Sequence, residues 1–242
     1  MKNTIPAVDK TLHVLELLST GALGQTELAK RTGASTSTCY RILQTLLSRR
    51  WVIRDESGRY ALSTVFFMMS KRSPLAMFEG LEPLMVELSQ KSGLACKISV
   101  RQGGEQVTIL RVDSPLGVGF SFSVGARFPL IEGTVGAALL SKETDETLEL
   151  LRQRCHSDIV EVREPGLLER RVATVRKDGY VLSERETRWK INAISAPLHG
   201  EGGLVVAALT LIGNAKDFEP EHLPFICREL KTTVRHMEAR LS

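Results

Sequence analysis

Residues 33–46 read GASTSTCYRILQTL: a glycine, a block of short hydroxyl side chains, then Tyr40 and Arg41, and only afterwards an apolar run. Short hydroxyls hydrogen-bond their own backbone and weaken helix interiors, so a helix made only for burial would not open on them. At a helix N-terminus the same groups, together with free backbone N–H donors, suit phosphate oxygens, and a nearby arginine can take the edge of a guanine. Ser35 is the expected N-cap, and Thr36, Ser37, Thr38, Tyr40 and Arg41 stay at the solvent end. Ile42, Leu43, Leu46 and Leu47 supply the buried stripe. The chemistry described is contact with duplex DNA by one helix end.

A second stretch with chemical potential is EGTVGAALL, where Gly133 and Gly136 flank Thr134 and Val135 at an expected helix start. Exposed N–H groups there would suit a carboxylate or another anion; close packing of a glycine-bearing helix on a sheet is the alternative, and Glu132 next door favours a structural cap. Other chemistry finds little support. Cys39, Cys96, Cys155 and Cys227 lie far apart without a C-x-x-C, and His222, Cys227 and His236 do not share one helix face, so no disulfide framework, metal or cofactor is expected. GFSFS at 119–123 lacks the second glycine of G-x-S-x-G and alternates like a strand, and Cys155-His156 are merely neighbours in sequence, so no catalytic activity is expected.

The elements that must position these residues follow from periodicity. Val8, Leu12, Leu15 and Leu18 recur at helical spacing behind Pro6, and a short second helix, about Thr26 to Thr32, ends at Gly33 with Lys30 and Arg31 in its last turn. Thr26, at its start, joins the DNA-facing set. Trp51 to Arg54 and Arg59 to Leu62 flank Asp55-Glu56-Ser57-Gly58 as a hairpin, with Arg54 and Arg59 placing charge on its two arms. This is a helix-turn-helix followed by a wing. Charge agrees: residues 1–62 hold nine Lys/Arg against five acids, which is the whole net charge of +4 of the 242-residue chain.

Beyond the wing, STVFFMMSKRSP carries an apolar run at Val65 to Met69, too short to span a membrane and too apolar for a solvated linker. A helical pattern from Leu75 to Gly93 contains Pro83, which should kink or restart it. Strands are expected at 95–101, 106–112, 119–124, 180–184, 191–197 and 204–212, with helices near 134–141, 144–155, 165–178 and 220–241. The result is an α+β chain: a winged helix-turn-helix domain at 1–63, a connector helix at 64–74, and a mixed sheet domain flanked by helices at 75–242. No run of eighteen apolar residues occurs, and Asp9 and Glu16 interrupt the N-terminal pattern, so neither a membrane span nor a signal peptide is expected and a cytoplasmic location is.

The spacing of QTELAKRTGASTSTCYRILQTLLSRRWVIRDESGRYAL resembles the winged helix-turn-helix of the IclR family of bacterial transcriptional regulators, including Ser37-Thr38, Arg41 and Tyr60-x-Leu62. The likeness continues through Arg111 to Pro115, GARFPLIEGTVGAALL at 125–140, DGYVLSERE at 178–186 and ISAPL at 194–198. The resemblance implies a GAF-like effector-binding second domain, a palindromic double-stranded operator, a small-molecule effector, and a homodimer or tetramer paired partly through the connector. It places the effector loop at Gly133 to Gly136 and the polar sheet contacts at Ser183, Ala193, Thr210 and Ile212. Ala193 and Ile212 are apolar, which departs from relatives that hold small, very polar acids and points to a larger ligand with a single anionic group.

Overall fold

The computed structural model describes residues 4–117, 123–156, 158–183 and 191–241. The chain divides into two units, 1–77 and 78–242. The connector therefore belongs with the first unit, and the division falls after Met77 rather than after residue 74. Phe78 is where the second core begins, since it is the first side chain buried there.

In the first unit, α1 (Pro6–Leu18), α2 (Gln25–Thr32) and α3 (Thr36–Ser48) precede the hairpin β1 (Val52–Arg54) and β2 (Tyr60–Leu62). Leu28, Leu43, Val14 and Tyr60 meet in its core. The expected stripe on α1 is only half right: Leu18 is buried and Leu15 packs on the core, whereas Val8 and Leu12 are exposed together with Ile5, and Val14, outside the expected stripe, is buried instead. The connector forms α4 (Val65–Lys71), whose Phe66 stands edge-on to Trp51 at 5.4 Å while Phe67, Met68 and Met69 are exposed.

A 3-10 turn, Pro74–Phe78, ends at the first residue of the second unit, and α5 (Glu82–Ser92) follows. Pro83 sits in the first turn of α5, where its missing N–H costs nothing, so it restarts the helix rather than kinking it. Then come β3 (Ala95–Gln102), β4 (Glu105–Val112), β5 (Arg127–Pro129), α6 (Gly133–Leu139), α7 (Asp145–Gln153), α8 (Val160–Arg163), α9 (Leu167–Asp178), β6 (Val181–Leu182), β7 (Ile191–His199), β8 (Val205–Asn214) and α10 (Leu223–Leu241). β5 and α8 were not expected from the pattern. The strand expected at 119–124 lies largely outside the described residues, as does the end of the one expected at 180–184.

The strands form one sheet in the order β5-β4-β3-β8-β7-β6 with antiparallel neighbours throughout, so its strand directions are not mixed. Period-two alternation gives the sheet two unlike faces. Cys96, Ile98, Ile194, Leu209 and Leu211 point into an apolar core with Met85 of α5 and Leu230 of α10. The opposite face carries buried Lys97, Ser99, Ser195 and Thr210, and α6 and α9 pack on its Ala208 end. Lys97 pairs in register with Thr210, and Thr210 with Ser195, so these three make one polar row across three strands.

Gly136 decides how close α6 approaches. A Cβ there would fall 2.4 Å from the carbonyl oxygen of Leu130 and 2.7 Å from the carbonyl carbon of Ile131, both backbone atoms that cannot swing away. Gly136→Ala should therefore destabilise the chain by about 1–3 kcal/mol in urea unfolding, as overpacking does. An unchanged midpoint would contradict this reading of the helix approach.

Candidate nucleic-acid interface and ligand cavity

α3 starts from a hydroxyl cap. The Ser35 hydroxyl accepts the backbone N–H of Thr38 at 3.2 Å and bonds to the hydroxyls of Thr38 at 2.8 Å and Ser37 at 3.2 Å. Ser35 and Thr38 are thus committed first to holding the helix start, and Thr36, Ser37, Tyr40 and Arg41 are exposed beyond it, with Thr26 exposed at the start of α2. Gly33, at φ 63°, ends α2 in the left-handed conformation that lets the chain turn into α3.

The wing is built by Asp55, whose carboxylate accepts the Ser57 hydroxyl at 2.7 Å and the Arg59 N–H at 2.8 Å. The Ser57 hydrogen bond, and then that of the Arg59 backbone, hold its carboxyl below the ordinary range. Arg54 donates to the Gly58 carbonyl at 3.1 Å and lies over the Tyr60 ring. Arg59 donates to the Ala22 carbonyl, and Leu23 bridges to Tyr60, so Arg59 braces the wing against the turn before α2 as well as adding charge.

In the second unit the polar face of the sheet floors a cavity of about 690 Å³. It gathers Gly133, Thr134, Val135, Ser183, Ala193, Thr210 and Ile212 along its walls, while Gly136 is absent from them and serves packing instead. The expected use of the α6 start as an anion seat is overturned at Gly133. Its N–H already donates to Glu161 at 2.7 Å, and a carboxylate in that place repels a second one. Thr134 and Thr210 are likewise engaged, each bonded to the buried Ser195 hydroxyl, at 2.8 and 2.9 Å. The Ser183 hydroxyl accepts the Ala193 N–H at 3.0 Å.

Apart from Glu132, the charged members of the wall are residues that the sequence did not single out. Glu161 of α8 is buried and paired with buried Arg171 of α9, yet Oε2 of the one and Nε of the other lack partners within the described structure. Lys97 of β3 is also buried. Desolvation brings its ammonium down to about 8, with Glu132 opposing the shift. Burial pushes the Glu132 carboxyl up, Glu161 and Asp158 add to that, and Lys97 opposes it. Phe128, Ile159, Val160, Ile191 and Ile212 supply apolar wall. Two buried cations, Lys97 and Arg171, facing the carboxylates of Glu132, Asp158 and Glu161 around apolar surface, can orient a polar group but have no surplus charge for several anions.

Burial raises the Cys155 thiol, opposite to what a nucleophile needs. Among the described residues no three His, Cys, Asp or Glu side chains converge on a metal position, and no helix is long and apolar enough to cross a membrane.

Comparison with known proteins matches two family models: bacterial transcriptional regulator IclR C-terminal over residues 72–239, and IclR helix-turn-helix domain over residues 7–56. Among curated relatives, the HTH-type transcriptional regulator KipR of Bacillus subtilis is 24% identical, covering 100% of this chain and 99% of that protein. The HTH-type transcriptional regulator KdgR of Escherichia coli is 25% identical, covering 99% and 94%. Among solved structures, Thermotoga maritima IclR superposes with a TM-score of 0.76 at 19% identity, covering 97% of this chain and 98% of that one. An IclR homologue from Microbacterium hydrocarbonoxydans complexed with 4-hydroxybenzoate gives 0.74 at 20% identity, with the same coverage.

Lys97 makes the cavity visible to pH. Its proton is released near 8 in the folded chain, against an ordinary value of 10.5. The unfolded chain therefore binds more protons in that window, and the stability owed to this site is lowest below pH 8 and rises toward pH 10.5. Compared with Lys97→Met in urea unfolding, the wild type should gain up to about 3 kcal/mol across the window. Parallel pH profiles would contradict the burial of a charged ammonium here.

Proposed function

This chain belongs to the IclR family of bacterial transcriptional regulators, and we propose that it holds a palindromic operator as a dimer or tetramer and releases or tightens it when a small carboxylate occupies the Lys97 cavity. The observation that carries the DNA half is the exposed Thr36, Ser37, Tyr40 and Arg41 at the N-terminal end of α3, on a unit that holds the chain's whole positive excess. Pairing is supported by apolar side chains left uncovered on the same unit: Ile5, Val8 and Leu12 on α1, and Phe67, Met68 and Met69 on α4. A second copy of the chain would cover them and place two recognition helices on one symmetric site.

The ligand half rests on Lys97. A carboxylate anchored there would lie over the apolar side chains of Ala193 and Ile212, and Glu132, with its raised carboxyl, is the group fitted to take up the proton that keeps the cavity's charge balanced. The Glu161–Arg171 pair in the same wall brings further charge to a hydroxyl or carbonyl elsewhere on the ligand. The fitting class is a monocarboxylate with an apolar body and one further polar group. The 4-hydroxybenzoate held by the Microbacterium homologue is of that class, which supports the reading. No reaction is proposed for the cavity.

The DNA reading is tested with operators selected from random duplexes. Affinity should fall with salt at roughly −0.9 per phosphate contacted on a log-log plot. Arg41→Ala should relax selection at particular base pairs, at about 1–3 kcal/mol, if it takes a base edge. Arg59→Ala should weaken all sequences alike and also cost about 1 kcal/mol of stability, through the lost bond to Ala22. A flat salt response, or the two variants with roles exchanged, would overturn the assignment.

A further inference from the structure

The second unit holds another concavity that shares no lining residue with the Lys97 cavity. It exists because β6 is short. Its pairing with β7 covers only Ser195 and Ile194, so residues 196–199 of β7 have no strand beside them on that side among the described residues. The gap, walled by α9 and α10, is a cavity of about 600 Å³.

An open strand edge ordinarily invites another strand. Here the edge is closed by chemistry: Pro197 has no N–H, and the His199 N–H donates to Glu238 at 3.0 Å while the His199 ring meets the same oxygen at 2.6 Å. A peptide would find few donors. Charge remains. Arg176 donates to the carbonyls of Ser141, at 2.9 Å, and of Glu143, and pairs with Asp145 at 3.2 Å, so it is fixed and balanced. Lys142, Lys231 and Arg235 also line the cavity against the one carboxylate of Glu238, a surplus of two positive charges. The Lys231 ammonium stands 4.9 Å from the centre of the Tyr180 ring, which limits its wandering. Ser141, in the same wall, has a buried hydroxyl with no hydrogen-bond partner within the described structure.

We propose that this cavity is a second ligand site, for a small dianionic oxyanion: a phosphate ester, a diphosphate or a polycarboxylate. A surplus charge of two, held in a concavity beside a rigid guanidinium, is what such a ligand requires. The site is independent of the carboxylate reading of the Lys97 cavity and stands whether or not that reading holds.

Isothermal titration calorimetry on the full chain at constant ionic strength tests it, with pyrophosphate as the probe and citrate as a second arm. Saturable binding should be weakened at least tenfold in Lys231→Gln/Arg235→Gln, both exposed positions, and be unchanged in Lys97→Met and in Arg41→Ala. Binding of pyrophosphate alone assigns the site to phosphate, and equal binding of both assigns it to charge. No saturable binding of either anion overturns the proposal. So does binding that survives the double substitution, or that disappears with Arg41→Ala, since the anion would then sit elsewhere. Equal melting temperatures for the double variant and the wild type secure the comparison against unfolding.

Discussion

The Glu161 carboxylate lies where three elements meet, and buried carboxylates persist only when paired and hydrogen-bonded. On α8, it takes the guanidinium of Arg171 from α9 and the N–H of Gly133 that opens α6. One ion thereby fixes the start of the helix that roofs the polar face of the sheet, the helix that packs behind it and the short turn between them. Removing Arg171 would leave an uncompensated charge, a loss of about 3–5 kcal/mol in comparable settings. Apolar residues of the same size could hold α6 and α9 together as well or better. A pair with one atom unsatisfied on each side adds less stability than a fully bonded one.

The two faces of the sheet divide the remaining labour. On one, Ile98, Leu209 and Leu211 meet α5 and α10 in a core that needs nothing from solvent. On the other, Lys97, Thr210 and Ser195 form a row whose hydroxyls satisfy one another and Thr134. Gly136 allows α6 to approach the backbone of Leu130 and Ile131, while the small Ala193 leaves the volume that the cavity occupies. Polar groups on that face are buried, so each must find a partner in the protein or in a ligand.

How much of this could be read from the sequence depends on how local each signal is. The helix-turn-helix was legible because Gly33, the Ser35 cap and the apolar stripe of α3 act within one or two turns. α1 was read less well: apolar spacing nominates Val8 and Leu12 as readily as Leu15 and Leu18, and only tertiary packing left the first two exposed and buried Val14 instead. β5 and α8 are three and four residues long, too short for any periodicity. Strand-like runs at 95–101, 191–197 and 204–212 made β3, β7 and β8 legible, and the family likeness pointed to Ala193, Thr210 and Ile212, which lie in the cavity wall. Lys97, Glu161 and Arg171 went unnoticed because their meaning is long-range: Glu161 acts on Gly133 and Arg171 across sequence separations of 28 and 10 residues. For the glycines at 133 and 136 the sequence leaves a donor end and close packing both open, and the capping of Gly133 by Glu161 and the close approach at Gly136 depend on partners that sequence does not display.

The central claim is that the buried Lys97 ammonium couples a ligand's carboxylate to the operator. The direct measurement is operator affinity by fluorescence anisotropy, with and without a saturating monocarboxylate chosen by thermal shift on the wild type, in wild type and Lys97→Met. The account predicts that the ligand changes wild-type affinity by tenfold or more, within the usual 1–3 kcal/mol range of such couplings, and leaves Lys97→Met unmoved although its ligand-free affinity is that of the wild type. An equal ligand response in Lys97→Met would contradict it.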